Sequence, residues 1–254
     1  MKKKYQAPIV KKAFAILDEI SKAPGGLRIS EISSKLDISK STVHGITAAL
    51  EDQGALVRDT VTKRFSIGIT LIELGKAAYE RIDFKNLARP VMEELMEQCQ
   101  ESVFLGIRNG NKVTVIDIVE SRKDFKISSP IGTALPLMAG ATGKLFLSRM
   151  DPDELKKYLQ SNPLVKYTEN SITDPDQYME ELKQIKKNGF ATDDEEYISG
   201  VRAVAAPVIR CGAYLPAIWV VGFKASMSDA KLSAITDQTC RAADMISRKL
   251  SGPC

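Results

Sequence analysis

The segment SKSTVHGITAALED, residues 39–52, decides how the first third of this 254-residue chain folds. Ser39 is a strong N-cap residue and Gly54 stands where helices commonly end, so the pattern predicts a helix over about residues 40–52. At about 100° per residue, Val43, Ile46 and Leu50 fall on one side of that helix. These three residues form the expected buried stripe.

The opposite side of this helix is small and polar, and it carries no acid before Glu51. Small residues let a helix lie deep in the major groove, where hydroxyl and imidazole groups can bond to base edges or phosphates. We therefore expect a DNA-recognition helix. An ordinary surface helix is the alternative, but it would usually carry acids and long charged side chains throughout. The expected DNA-binding residues are Ser39, Lys40, Ser41, Thr42, His44 and Gly45.

The flanking pattern predicts a winged helix-turn-helix. Apolar residues at helical spacing indicate a helix over residues 9–21, and a shorter one begins near Ile29. After Gly54, residues 55–68 have the pattern of a β-hairpin with Lys63 and Arg64 next to its tip. Such a basic wing would touch phosphate or the minor groove. The alternative is a hairpin that only covers the helices.

The charge of the chain is concentrated in the same region. Residues 1–80 hold 13 Lys and Arg against 9 Asp and Glu, an excess of four that equals the net charge of the whole chain. The remainder is neutral. A basic module joined to a neutral domain suits anion binding, although a solvated lysine tail would give the same sum.

The order of these elements and the residues themselves resemble the IclR family of bacterial transcriptional regulators. The likeness covers essentially the whole chain. The chain departs from the family pattern in two places: Gly45 replaces a frequent arginine, and Ile209-Arg210 replaces an aromatic or His followed by Asp or Asn. The matching segments are KAFAIL (12–17), ISEI (29–32), SKSTVH (39–44), LE (50–51), TGK (142–144), GFATDDEE (189–196) and GVRAVAAPV (200–208).

The resemblance implies a winged helix-turn-helix domain over residues 1–69, a linker helix over 70–85 and an effector-binding domain over 86–254. The fold class is α+β, with a GAF/profilin-like antiparallel sheet and flanking helices in the C-terminal domain. The residue pattern agrees, because its strands and helices do not alternate as βαβ units. Strands are predicted at 102–108, 112–120, 201–209 and 214–223, and helices at 86–100, 176–188 and 229–250.

The resemblance also implies a pocket for a small organic effector. Backbone N–H groups at a helix start near Thr142 would hold an anionic group. Family members that bind small keto acids tend to have Cys where Ala203 stands and Ser where Trp219 and Val221 stand. The apolar wall favours an aromatic or otherwise apolar body, although Trp219 could equally fill core space. The implied effector-binding residues are Met138, Ala141, Thr142, Gly143, Asp193, Ala203, Trp219 and Val221.

Several other classes are disfavoured. His44 is the only histidine, and the four cysteines are scattered, so neither a usual zinc site nor a disulfide framework is expected. Gly140–Lys144 lacks the first glycine and the Ser/Thr of a phosphate loop. Four consecutive acids at 193–196 alternate direction along an extended chain and seldom converge on a cation. We expect no catalytic residue, metal or cofactor.

The sequence thus predicts a DNA-binding regulator. We expect it in the cytoplasm, because its longest apolar run is too short to span a membrane and its N-terminus lacks a signal-peptide core. Expected partners are a double-stranded operator, a small-molecule effector such as an aromatic or keto acid, and a second copy in a homodimer or dimer of dimers. The alternatives are an enzyme with a winged-helix dimerisation domain and an effector-independent DNA binder.

Overall fold

The computed structural model describes residues 7–80, 84–209 and 215–250. The chain divides into two units, Met1–Ile82 and Asp83–Cys254. The division lies later than the predicted end of the first domain at residue 69. The predicted linker helix over 70–85 corresponds to α4 (Thr70–Glu80), which belongs to the first unit, and residues 81–83 of that linker lie outside the described residues.

The first unit is a winged helix-turn-helix, as predicted. Its helices α1 and α2 precede α3, and a two-stranded antiparallel hairpin follows. Buried side chains from all five elements meet in one small core, which includes Ile16, Ile32, Val43, Leu56 and Phe65. The bounds are α1 (Pro8–Ser21), α2 (Ile29–Leu36), α3 (Lys40–Asp52), β1 (Leu56–Arg58) and β2 (Phe65–Ile67).

Local residues set the end of α2 and both ends of α3. The Ser39 hydroxyl accepts a hydrogen bond from the backbone N–H of Thr42 at 3.3 Å, which satisfies one of the free donors of the first turn. Asp37 closes α2 in the left-handed region at φ 51°, so the chain turns sharply between the two helices. Gly54 follows α3 at φ +68°, a conformation that favours glycine.

The second unit is built on a six-stranded antiparallel sheet in the order β5-β4-β3-β8-β7-β6. This confirms the predicted antiparallel sheet. Sequence analysis did not predict the two short edge strands, β5 and β6. The bounds are β3 (Ser102–Asn109), β4 (Lys112–Val119), β5 (Ala134–Pro136), β6 (Ala191–Asp194), β7 (Val201–Pro207) and β8 (Pro216–Phe223).

Helices cover this sheet. The pair α5 (Phe84–Cys99) and α9 (Asp229–Leu250) pack together and against the central strands. The long connection from β5 to β6 carries α6 (Gly140–Ser148), α7 (Pro152–Ser161) and α8 (Pro175–Asn188). Of these, α6 and α8 bury Leu145 and Leu182 in a core shared with Phe104 and Trp219 of the sheet. An apolar cavity lies where α6 meets that sheet face.

Candidate functional site

The outer face of α3 is open to solvent. Ser39, Lys40, Ser41, His44 and Gly45 are all exposed, and Thr42 is partly buried. The inner face is sealed: Val43 and Thr47 are 0% exposed and Ile46 is 6% exposed. Within this unit, therefore, none of the exposed residues is held against the protein's own interior.

Hydroxyl groups cluster at the start of α3. The Ser39 Oγ lies 2.8 Å from the Thr42 Oγ1 and 3.2 Å from the Ser41 Oγ. The first turn contains no acid. Backbone N–H groups, hydroxyls and the Lys40 ammonium therefore share one end of the helix, and such an end favours a phosphate oxygen.

Asp59 organises the tip of the wing. Its Oδ1 accepts hydrogen bonds from the backbone N–H of Val61 at 3.0 Å and of Thr62 at 2.6 Å. It also accepts one from the Thr62 hydroxyl, and these bonds hold the pKa of the Asp59 carboxyl below its ordinary value. The turn leaves Lys63 exposed, at φ 59°. The exposed position of Lys63 agrees with its expected role in contacting DNA.

Arg64 connects the wing to α2. Its guanidinium donates to the Glu31 carboxylate at 3.0 and 3.1 Å and to the Gly26 carbonyl at 2.7 Å, and its side chain remains partly exposed. Sequence analysis missed Arg28, which is exposed and donates through Nε to the Thr62 carbonyl at 2.9 Å. Arg28 thus adds an exposed cation beside the wing.

A cavity of about 210 Å³ lies in the second unit. Its walls come from the sheet, the start of α6 and two loops. Most of the lining is apolar, and the polar groups are few. The apolar residues are Phe104, Val115, Ile127, Leu135, Ala139, Ala141, Ile198, Val201, Ala203, Trp219 and Val221; Gly140, Ser128, Ser129, Thr142, Asp193 and Tyr197 complete the lining.

The structure brings most of the implied effector residues together at this cavity: Ala141, Thr142, Asp193, Ala203, Trp219 and Val221. Two lie outside its lining. A Cβ atom on Gly143 would stand 2.3 Å from the Leu137 carbonyl oxygen, so this glycine serves close packing of α6 on the chain before it. Met138 faces a smaller neighbouring void. Both were implied by the family resemblance, but neither contributes to the lining of this cavity.

Two aromatic rings form one wall. The rings of Phe104 and Trp219 stack with centroids 5.5 Å apart and an interplanar angle of 8°. Trp219 is 3% exposed, so it belongs to the core and to the cavity at once. Sequence analysis missed Phe104, Tyr197 and the loop at 127–129, because nothing in the local pattern shows that these segments meet.

The four acids at 193–196 have different partners, except that Asp194 and Glu195 both contact the Lys224 ammonium. Asp193 faces the cavity, and Asp194 binds the Arg202 guanidinium at 2.7 Å. Glu195 binds the Lys224 ammonium, and Glu196 turns to Lys144 on α6. Among the described residues, no cluster of His, Cys, Asp and Glu has the arrangement needed to hold a metal ion.

Asp193 and Lys144 form the charged side of the cavity region. Asp193 is 5% exposed, and its Oδ1 accepts the backbone N–H of Glu196 at 2.7 Å. Burial raises the pKa of this carboxyl above its ordinary value, although the nearby Lys144 opposes the shift. The Lys144 ammonium is buried and binds Glu196 at 2.6 Å and Glu181 at 3.0 Å.

Known proteins match both units. The IclR helix-turn-helix domain profile matches residues 9–60, and the bacterial transcriptional regulator IclR C-terminal profile matches residues 76–248. The HTH-type transcriptional regulator BhcR of Paracoccus denitrificans is 35% identical over 237 residues, which are 93% of this chain and 85% of that protein. The chain belongs to the IclR family.

Solved structures agree with this assignment. The crystal structure of Thermotoga maritima IclR has 33% identity and a TM-score of 0.67, and the match covers 95% of this chain and 98% of that one. An IclR homolog from Microbacterium hydrocarbonoxydans, complexed with 4-hydroxybenzoate, has 19% identity and a TM-score of 0.76 over 95% of this chain and 98% of that one. At that identity the likeness shows the fold alone.

Membership in the IclR family makes the chain a DNA-binding transcriptional regulator rather than an enzyme. The helix-turn-helix that the family uses to bind DNA is the unit whose α3 face is open here. In the described residues of this IclR-family chain, no helix has both the length and the apolar character needed to cross a membrane.

Proposed function

We propose that this IclR-family regulator binds a pseudo-palindromic operator through α3 and the wing, and that a small organic effector in the cavity changes its affinity for that DNA. The residues assigned to DNA are Ser39, Lys40, Ser41, Thr42, His44, Gly45, Lys63 and Arg64, with Arg28 added beside the wing. The observation that carries the effector part of the proposal is the cavity walled by Phe104 and Trp219 in the second unit.

The chemistry of the cavity favours an aromatic acid. The stacked rings and the aliphatic wall suit a planar apolar body. The first N–H groups of α6, at Ala141 and Thr142, lie at the positive end of the helix and suit a carboxylate. The relative with 4-hydroxybenzoate bound supports this ligand class. Binding that favours one arrangement of the regulator over another would shift the DNA-competent population.

We further propose that the regulator acts in the cytoplasm, where the chromosome lies, as a homodimer or dimer of dimers. Several apolar side chains of the first unit are exposed in the single chain: Ile9 56%, Val10 50% and Phe14 69% on α1, and Ile72 64% and Leu74 61% on α4. Such surfaces often mark interfaces. A dimer would place two α3 helices on half-sites about one helical turn apart or a multiple of it.

The effector proposal is tested by operator affinity. An operator selected from random DNA is titrated with the full-length protein, with and without benzoate, 4-hydroxybenzoate and other aromatic acids. Trp219 is the only tryptophan, so its fluorescence reports binding in the cavity directly. We expect one of these acids both to quench Trp219 and to change the operator affinity. Ala203→Leu, which fills part of the cavity, should abolish both effects while leaving unliganded DNA binding unchanged.

A panel of acids that quench Trp219 but leave DNA affinity unchanged would contradict effector control and favour an effector-independent DNA binder.

The residues assigned to DNA are tested separately with Lys63→Ala and Arg28→Ala. Each should weaken binding to operator and random DNA alike and lower the salt slope by about one if it contacts a phosphate. Lys22→Ala is the matched control, because Lys22 is engaged with Asp18 on α1. Equal effects of all three changes would contradict the assigned face.

A further inference from the structure

Gly106 lies in the interior of β3, where a glycine normally weakens a strand. Its φ is not in the left-handed region, so its own dihedral angles do not demand a glycine here. What it supplies is space. A Cβ atom at this position would stand 2.7 Å from Cη2 and 2.8 Å from Cζ3 of the Trp219 indole.

The indole therefore lies across the strand directly over Gly106. On the same surface its ring stacks on Phe104, and both rings face the cavity. Carbon atoms prefer separations of about 3.5–4.0 Å, so a methyl group at position 106 would displace the ring by roughly 1 Å. The ring cannot move toward the strand, because the sheet lies there. The displaced ring would have to rise into the cavity of about 210 Å³.

We propose that Gly106, which does not itself line the cavity, is a specificity-determining residue of the effector site. Because glycine has no Cβ atom to push the indole away, Trp219 lies flat on the sheet and leaves room above it for a planar aromatic ring. This inference rests on the proposed effector function and adds a ligand shape to it. The pair Gly106–Trp219 sets the depth of the site, and the Phe104–Trp219 stack sets its flat wall.

A second contact at Gly106 makes the test specific. The same Cβ would also stand 2.7 Å from the Thr114 carbonyl oxygen, next to the register irregularity that β3 makes with β4 between Leu105 and Gly106. Glycine could serve that backbone contact alone. The two explanations separate in a double-mutant cycle, because shortening the side chain at position 219 relieves only the contact with the indole.

The experiment compares wild type, Gly106→Ala, Trp219→Leu and the double variant of the full chain. We expect Gly106→Ala to lower the denaturation midpoint much more in the Trp219 background than in the Leu background. If Gly106→Ala alone fails to fold, a folded double variant gives the same answer. If Gly106→Ala lowers the midpoint equally in both backgrounds, or if neither Gly106→Ala nor the double variant folds, the contact with the Thr114 carbonyl explains the glycine and the proposal is overturned.

Ligand shape is read from crystals exposed to iodobenzene or to xenon, since apolar cavities take up such probes. Wild type should bind the iodobenzene ring against Trp219. Gly106→Ala should exclude the ring, still admit xenon, and show tryptophan emission shifted to the red. Exclusion of iodobenzene by wild type, or its undiminished binding in Gly106→Ala, would refute the assignment. Neither outcome involves DNA, so failure here is distinguishable from failure of the effector proposal.

Discussion

The outer face of α3 and the wall of the effector cavity are both binding surfaces, but the chain builds them in opposite ways. The α3 face comes from one continuous segment, residues 39–45, whose side chains are mostly exposed. The cavity wall draws on residues from Phe104 to Val221, most of them buried. A change on the α3 face should therefore alter binding with little cost in stability, whereas a change beside the cavity should alter the fold and the site together.

Lys144→Met should give the largest loss of stability, and it tests whether a change beside the cavity costs more than a change at an exposed site. Removing the buried ammonium leaves the carboxylates of Glu196 and Glu181 without their cation, and breaking a buried ion pair costs about 3–5 kcal/mol. Because Glu181 is partly exposed, we expect a loss near the lower end, about 3 kcal/mol, measured by urea denaturation. Lys22→Met, which removes an exposed cation just after the end of α1, should cost less than about 1 kcal/mol. Equal losses of stability for Lys144→Met and Lys22→Met would contradict this expected difference between the buried and the exposed site.

Asp193→Asn should change the pH dependence of stability. Burial raises the pKa of the native Asp193 carboxyl above its ordinary value, so the native state binds more protons than the unfolded state between the two values. This contribution is fully present below the ordinary pKa of aspartate and is lost as pH rises through the raised one. The variant should lack that loss, giving a flatter profile of unfolding free energy against pH.

Burial also raises the pKa of Glu196, so part of the slope should remain in Asp193→Asn. Asp59→Asn is the matched control at the tip of the wing. Hydrogen bonds hold the pKa of Asp59 below its ordinary value, which gives a slope of the opposite sign. An unchanged profile in Asp193→Asn would show that the native carboxyl does not take up a proton in this range.

Ser39→Ala tests the α3 face, which one continuous segment of the sequence builds. Loss of an N-cap serine costs about 1 kcal/mol, because the Thr42 N–H then lacks its acceptor. Hydrogen exchange of the α3 amides in the full chain measures the change. Ser41→Ala should cost less than half as much, since its hydroxyl contacts that of Ser39 but accepts no hydrogen bond from the backbone of the first turn. A smaller loss for Ser39→Ala than for Ser41→Ala would show that the helix start is held otherwise.

The same contrast explains what the sequence could predict. The bounds of α3, Lys40–Asp52, and of α9, Asp229–Leu250, were predicted closely because caps and periodicity are local signals. Most of the residues implied for the cavity came from the family resemblance. The residue pattern alone gave no sign of α7, of the edge strands or of the loop at 127–129, because tertiary packing decides where those segments lie.

Charged side chains show the same limit. Arg64 was predicted to lie next to the tip of the wing, but the pattern did not reveal its partner Glu31, which is 33 positions away in sequence and is brought to it only by the fold. The sequence pattern presents Lys144 only in the TGK segment that resembles the family and in an incomplete phosphate loop. Its carboxylate partners lie 37 and 52 positions further along the chain. A sequence pattern reports which residues share a face, and it does not report which distant residue neutralises a charge.

His44→Ala should have the smallest effect on stability and so provides the strictest test of the α3 face. The imidazole is exposed and alanine is a better helix former, so the free energy of unfolding should change by less than about 0.5 kcal/mol. If His44 bonds to a base edge, binding to the selected operator should weaken by about 1–3 kcal/mol while binding to random DNA stays the same. Equal weakening on both DNAs would indicate a phosphate contact instead. No weakening on either would mean that α3 reads DNA without its only imidazole, leaving the hydroxyls of Ser41 and Thr42 and the gap at Gly45 to account for specificity.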